Sequence, residues 1–281
     1  MTTSIISWNV NGLRQRHQLG QVLPVFRHNP DIVCIQEIRA AREKIPAALK
    51  NLHGYHCYYL EGSQEDPVEV MLFSRQEPKR VTFGFDGFPS VGRERVIIAE
   101  YPSFTLLNIY FPLGSGPEES MQNKLSFYDA FLAYVTRLQK EEQNVVICGD
   151  FSIAHTDIDV ARPARKSTQQ VGITEHERGK LDQLIAAGFS DTFRLFNQSG
   201  GHYTWWPNGF YHHERGQGWR LDYIFVNTFL RPYVTTAEIL ACYEGSDHCP
   251  VRMEMEMPAE FPQQGYETPA GSLPERLALH V

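Results

Sequence analysis

A chain of 281 residues with 42% hydrophobic and 21% charged residues can bury a large core, and its body has no low-complexity tract that would favour disorder. A formal net charge of −7 excludes holding a polyanion by overall charge, so a nucleic-acid partner would have to meet a local basic face or a metal. No run of about 18 apolar residues occurs and Met1-Thr-Thr-Ser-Ile-Ile-Ser-Trp8 has no basic segment before an apolar stretch, so the expectation is a cytoplasmic protein without a membrane anchor.

Ser4–Trp8 opens the chain with a short apolar run suited to a buried strand. A helix is predicted between Gln15 and His28, ended by the Asn29-Pro30 turn, and strands follow at Ile32–Gln36, Val70–Ser74, Val96–Tyr101 and Thr105–Tyr110. From Glu118 to Lys140, Met121, Leu125, Tyr128, Leu132, Val135 and Leu138 recur at helical spacing, so this stripe is core and not a site. Val145–Cys148 reads as a strand, Glu175–Ala187 as a helix closed by Gly188, and Leu221–Val226 and Val251–Met257 as the last strands. Alternation of strands and helices without a long linker or an internal repeat predicts an α/β fold, one layered sandwich over residues 1–257. Beyond it, Pro258, Pro262, Pro269 and Pro274 punctuate a polar tail, 258–281, expected to pack loosely or not at all. Cys34, Cys57, Cys148, Cys242 and Cys249 are odd in number, lack CxxC spacing and read as reduced thiols.

Polar residues able to hold a metal or move a proton recur at strand ends. Asn9 and Asn11 follow the first strand, Glu37 the second, Tyr110 ends its strand and Asp150 follows Val145–Gly149. Asp222 begins a strand, and Asp247 and His248 precede the last one. Any one of these is ordinarily a turn or cap residue. Together they supply what phosphodiester hydrolysis needs, namely groups to neutralise the phosphate, to orient and deprotonate a water and to support the leaving oxygen. The oxygen donors Glu37, Asn11 and Asp247 favour Mg²⁺ over zinc, with Mn²⁺ as a substitute.

Six segments also resemble, in order, the signature blocks of the exonuclease III family: Ser7-Trp-Asn-Val-Asn-Gly-Leu-Arg14, Cys34-Ile-Gln-Glu37, Asn108-Ile-Tyr-Phe-Pro112, Gly149-Asp-Phe-Ser-Ile-Ala-His155, Gly218-Trp-Arg-Leu-Asp-Tyr223 and Gly245-Ser-Asp-His-Cys-Pro250. That family comprises abasic-site endonucleases and 3′-exonucleases of DNA repair within the deoxyribonuclease I-like superfamily. The resemblance implies a four-layer sandwich, two packed mixed β-sheets flanked by helices, with the site at one edge. It implies Glu37 as the main Mg²⁺ ligand, with Asn11 and Asp247 as direct or water-mediated partners. It makes Asp150 the base, His248 the group facing the scissile phosphate, Asp222 its holder, and Asn9 and Tyr110 positioning groups. It places Trp205, Trp219 and Leu221 around a flipped-out abasic sugar, although tryptophan and leucine beside strands are as readily core. Arg14, Arg16, Arg162, Arg165 and Lys166 are basic candidates for the DNA backbone, a surface feature of salt-dependent value. The implied partner is double-stranded DNA with abasic sites, nicks or recessed 3′ ends, bound by a monomer.

Three positions depart from the family pattern. Ser152 stands where an asparagine follows the base, and losing such a positioned contact costs on the order of 10²–10³ in rate. Leu113 stands where an amide faces the phosphate, and Gln64-Glu-Asp-Pro-Val-Glu-Val70 replaces a basic, glycine-rich stretch. Metal and base positions kept beside altered substrate contacts imply changed substrate preference. Two other readings remain: a phosphodiesterase or phosphatase acting on a lipid headgroup or small phosphoester, which Trp219-Arg-Leu-Asp-Tyr223 opposes, and a catalytically weakened paralogue serving as a nucleic-acid or protein-binding regulator. A substrate panel separates the first, and turnover with Mg²⁺ the second.

Overall fold

The computed structural model describes residues 2–60, 68–87, 92–161, 170–207, 217–241 and 243–258. The first strand, β1 (Thr2–Asn9), leads through the short helix α1 (Leu13–Gln18) and a 3₁₀ turn (Leu23–His28) into β2 (Ile32–Ala40), which lies parallel to it. A further helical turn, α2 (Ala47–Lys50), precedes β3 (His56–Tyr58) and β4 (Val68–Ser74), which run antiparallel, and β4 also pairs antiparallel with β2. The chain then crosses to a second sheet. It lays down β5 (Arg80–Phe83), β6 (Val96–Glu100), β7 (Thr105–Tyr110), the long helix α3 (Glu118–Lys140) and β8 (Val145–Asp150). Helix α4 (Glu175–Ala186), β9 (Phe189–Asp191), α5 (Thr192–Phe196) and β10 (Asp222–Asn227) complete that half. Finally β11 (Val234–Ile239) and β12 (Val251–Glu256) return to the first sheet. The sheet orders are β11-β12-β1-β2-β4-β3 and β5-β6-β7-β8-β10-β9.

Central strands are apolar on both faces because both faces are covered. Ile5, Cys34, Leu72 and Met253 of the first sheet pack against Ile97, Leu106, Cys148 and Ile224 of the second. Their neighbours Ile6, Val33, Ile35 and Phe73 turn outward under Leu13, Val25 and Leu49. On the opposite side Phe131, Val135 and Leu138 of α3 and Leu181 of α4 cover the second sheet. Each such fully buried side chain contributes roughly 1.5–3 kcal/mol by leaving water. The result is helix, sheet, sheet, helix, the expected sandwich.

A polar bridge sets the two sheets against each other. Asn108 of β7 donates to Met71 O at 2.8 Å and Ile35 O at 3.3 Å, while Gln36 Nε2 donates to Asn108 Oδ1 at 2.8 Å and Ser7 Oγ at 2.9 Å. Sliding one sheet would break these bonds inside the core, where an unmet polar group costs about 1–3 kcal/mol. This fixes the strand ends that carry the site.

The expected helix from Gln15 to His28 is a correction. Gly20 at φ 73 closes α1, and Pro24, at the start of the 3₁₀ turn, cannot donate a continuing helical bond. β3, β5, β9 and β11 escaped the sequence reading, and these are the four edges of the two sheets. Edge strands bury less and carry more polar residues, as in β11, whose Thr235, Thr236 and Glu238 are exposed. The tail after Pro258 and Cys242 lie outside the described residues, whereas Cys34, Cys57 and Cys148 are free thiols. Among the described residues no helix is long and apolar enough to cross a membrane.

Candidate active site

Strand register assembles the site. β1 and β2 are parallel with Asn9 opposite Gln36, so Asn11 and Glu37 leave the same edge of the first sheet. In the second sheet Tyr110 lies opposite Asp150, and Asp150 opposite Asp222, so three functional side chains stand in one row across β7, β8 and β10. Gly149, just before Asp150, is needed for this closeness, because a Cβ there would sit 1.8 Å from Ile109 O. The loop entering β12 brings in Asp247 and His248. Its Ser246 hydroxyl donates to Asn9 O at 2.7 Å and accepts from His248 N at 3.1 Å, and Trp8 Nε1 donates to His248 O at 3.0 Å.

Asp150 is held from two sides. Its Oδ2 accepts from Asn9 Nδ2 at 2.9 Å, and its Oδ1 accepts from the Ser152 amide at 2.8 Å. His248 pairs through Nδ1 with Asp222 Oδ2 at 2.8 Å, which leaves Nε2 3.9 Å from Asp150 Oδ2. Burial opposes charge on this imidazole, yet Asp222, Asp150 and Asp247 hold the imidazolium up to about 10. Burial above all pushes the Asp150 carboxyl up to about 6; Asp222 adds to this, while His248 and the bonds from Ser152 and Asn9 oppose it. Burial, then the charges of Glu37 and Asp150, raise the Tyr110 phenol, so it remains a proton donor. The carboxylate of Asp247 accepts from Asn11 Nδ2 at 2.6 Å and Trp205 Nε1 at 3.0 Å. Burial works against its charge, but His248 and those two bonds keep it below the usual range.

These groups open onto a cleft of about 240 Å³ lined by Glu37, Asn11, Tyr110, Asp150, Asp247 and His248. The lining also includes the apolar side chains of Leu113, Val171, Trp205, Trp219 and Leu221, with the Trp205 and Trp219 rings edge to face at 5.9 Å. Asn9 and Asp222 stand behind the wall and act on it through Asp150 and His248. Ser152 is on the lining, with its hydroxyl 3.4 Å from Asp150 Oδ1. Arg14 is exposed on α1 away from this lining, and Arg16 donates to Gly245 O and to Gln21 Oε1, a structural role. Arg162, Arg165 and Lys166, and residues 64–67 of the altered acidic stretch, lie outside the described residues.

Two groups could hold a cation. Asp150, Asp222 and His248 bring ligand-type atoms within 4.8 Å of one another. There His248 spends Nδ1 on Asp222, which leaves Nε2 as its other ring nitrogen. Glu37 and Asn11 form the second set. Both turn their oxygens onto the guanidinium of Arg39, which donates to Glu37 Oε1 and, at 2.7 Å, to Asn11 Oδ1. Oxygen donors converging on a positive charge suit a hard divalent ion. Asp247 has both oxygens engaged, which suits a supporting role. Asn11, Glu37 and Arg39 all have positive φ, 45, 58 and 49°, a strain of about 1–3 kcal/mol each that is common at working sites. Arg39 was missed from sequence; its place two residues after Glu37 was the available signal.

A cleft that gathers a buried aspartate, a histidine bonded to a second aspartate and the oxygen donors of Glu37 and Asn11 has the groups that a phosphoryl-processing hydrolase needs. Residues 6–248 match the Endonuclease/Exonuclease/phosphatase family, and the chain belongs to it. It is 36% identical over 252 residues to Recombination repair protein 1 of Drosophila melanogaster, covering 88% of this chain and 36% of that protein, about a third of its length. It is 33% identical to the DNA repair nuclease APEX1 of Danio rerio, covering 89% and 81% of the two chains. Among solved structures it is similar to an AP endonuclease from Archaeoglobus fulgidus, with TM-score 0.81, 29% identity and coverage of 91% and 100%. It is also similar to the 3′ phosphatase NExo from Neisseria bound to a product DNA hairpin, with TM-score 0.80, 28% identity and coverage of 91% and 100%. These likenesses agree with the exonuclease III resemblance of the motifs.

Proposed function

We propose that this protein is a DNA repair phosphodiesterase that cuts the backbone 5′ to abasic sites and trims 3′ ends, using Mg²⁺. The observation that carries this is one cleft lined by Glu37, Tyr110, Asp150 and His248 together with apolar side chains, with Asn9 and Asp222 bonded to Asp150 and His248 from behind it. Asp150, oriented by Asn9 and Ser152, takes the proton of the attacking water, and a base so placed supplies roughly 10²–10⁴ in rate. His248, kept charged by Asp222, donates from Nε2 to the scissile phosphate as its negative charge grows. Tyr110, which keeps its proton, donates to the same phosphate. Glu37 and Asn11, with Asp247 behind them, would hold Mg²⁺, which neutralises the phosphate and the leaving oxygen when bound, and Mn²⁺ can replace it. Trp205, Trp219 and Leu221 offer apolar surface against which a sugar without its base can pack.

Ser152 and Leu113 favour a changed balance between substrates over loss of chemistry. They alter the wall that meets the phosphate and leave the His248–Asp222 bond and the 3.9 Å approach of His248 Nε2 to Asp150 in place. The deciding assay follows a duplex with one abasic site beside a duplex with a recessed 3′ end, in Mg²⁺ and in chelator. Cleavage of either duplex that chelator abolishes supports the proposal. If neither is cut with protein in excess over DNA, the weakened-regulator reading takes its place.

A further inference from the structure

The backbone after Asp150 is held with unusual completeness. Phe151 O accepts from Tyr128 Oη at 2.5 Å, Ser152 O from Lys124 Nζ at 2.8 Å, Ile153 O from Tyr223 Oη at 2.9 Å and Ala154 O from Arg178 Nε at 3.2 Å. Lys124, on α3, is fully buried, and its three protons go to Ser152 O, to Leu113 O at 3.1 Å and to Glu177 Oε1 at 2.6 Å. Glu177, on α4 and equally buried, also accepts from Gly172 N at 2.8 Å, Thr174 N at 3.1 Å and Thr174 Oγ1 at 2.7 Å. The pair thus reaches three pieces of the cleft lining: Leu113, Ser152 and Gly172.

Stability does not require an ion pair here. Two apolar side chains in place of a buried pair often serve as well. The two helices already meet through an exposed Lys180 Nζ to Asp129 Oδ1 bridge at 2.5 Å and through the apolar cluster containing Phe131 and Leu181. What apolar side chains could not do is hold the carbonyls of Ser152 and Leu113. Ser152 needs holding, because it sits at φ 52 and its amide is one of the two donors that orient Asp150.

We propose that the Lys124–Glu177 pair is a positioning device for Asp150. By clamping Ser152 O it fixes the Ser152 amide, and through it the direction of the base carboxylate. The inference rests on Asp150 acting as the base, so one readout must not depend on turnover. Lys124→Met is compared with two controls on the same helices: Lys180→Met, which breaks the exposed bridge, and Val135→Ala, which loosens the α3 core. Lys124→Met is expected to lower kcat on an abasic-site duplex about tenfold or more with KM within about threefold, as misplacement of a catalytic group does. Native-state amide exchange at Ser152 and Ala154 should rise in parallel, while both controls keep wild-type kcat and wild-type exchange at these amides. Should Lys124→Met fail to fold, Glu177→Gln decides, with faster exchange at Ser152 expected. A folded variant with wild-type kcat and wild-type exchange at Ser152 overturns the proposal, as does loss of kcat without faster exchange. A wild-type protein that cuts no DNA would instead sink the functional reading, with the exchange result still standing.

Discussion

Two buried charge clusters lie on either side of β10 and use nearly the same residue types to opposite ends. In the first, Arg220 donates from Nε to Asp159 Oδ1 at 2.7 Å and places Nη2 2.7 Å from Asp191, while Arg194 adds a second guanidinium to Asp159. Burial would raise the Asp159 carboxyl, yet Arg220 and Arg194 hold it far below the ordinary range. In the second, Asp150 and Asp222 share one imidazole, and the carboxylate farther from it is left raised. With a guanidinium for every carboxylate the cluster is inert near neutrality. With three carboxylates around one imidazole, the Asp150 carboxyl is left raised to about 6. Counting cations against anions in a buried cluster therefore separates a strut from a working site.

The comparison can be broken most severely at Asp150. Asp150→Asn removes the raised carboxylate and should cost roughly 10²–10⁴ in kcat on an abasic-site duplex, with a melting temperature no lower than wild type because a poorly compensated charge has gone. Unchanged turnover would remove Asp150 from the mechanism. Asp159→Asn should do the reverse. It takes from Arg220 one of its two buried carboxylate partners, costs about 3–5 kcal/mol in chemical denaturation and leaves turnover per folded molecule near wild type. Because the folded Asp159 pKa is depressed, its contribution is present above the unfolded value of about 3.9 and is lost as pH falls below it. Acid unfolding of wild type should therefore steepen in that window and flatten in the variant.

Smaller effects sharpen the contrast. Asp222→Asn withdraws the main support for the imidazolium, so NMR titration of His248 in the metal-free protein should show its pKa falling by more than about one unit, with kcat down roughly tenfold or more. The sign for stability is opposite to that of Asp159. The folded His248 pKa is raised to about 10, so its contribution is present below the unfolded value of about 6.5 and is lost as pH rises through 10. A melting temperature independent of pH between about 6 and about 10 would contradict this. The mildest change is Ser152→Asn. Asparagine tolerates φ near 52 better than serine and brings an amide to the lining, so kcat at abasic sites should rise, by up to about tenfold. A fall would mean that the cleft is shaped for serine.

Much of this was legible along the chain. Asn9, Glu37, Asp150, Asp222 and His248 announced themselves by standing beside apolar runs, and the central strands by those runs themselves. Edge strands such as β3 and β11 did not, because an edge buries too little to need a continuous apolar signal. Lys124 and Glu177 looked like ordinary charged residues of amphipathic helices, and only the packed fold shows them buried against cleft-lining backbone.

By itself the sequence determined which segments would be buried strands and helices, and which chemical groups would emerge at their ends, because apolar periodicity and turn chemistry act within a few neighbouring residues. Tertiary structure decided which of those groups meet. The Tyr110, Asp150, Asp222 row arises from strand register, and the unlike charge states of Asp150 and Asp159 from the cations packed beside them. Coulomb and desolvation energies depend on distance and on exclusion of water, and both are set by the assembled core.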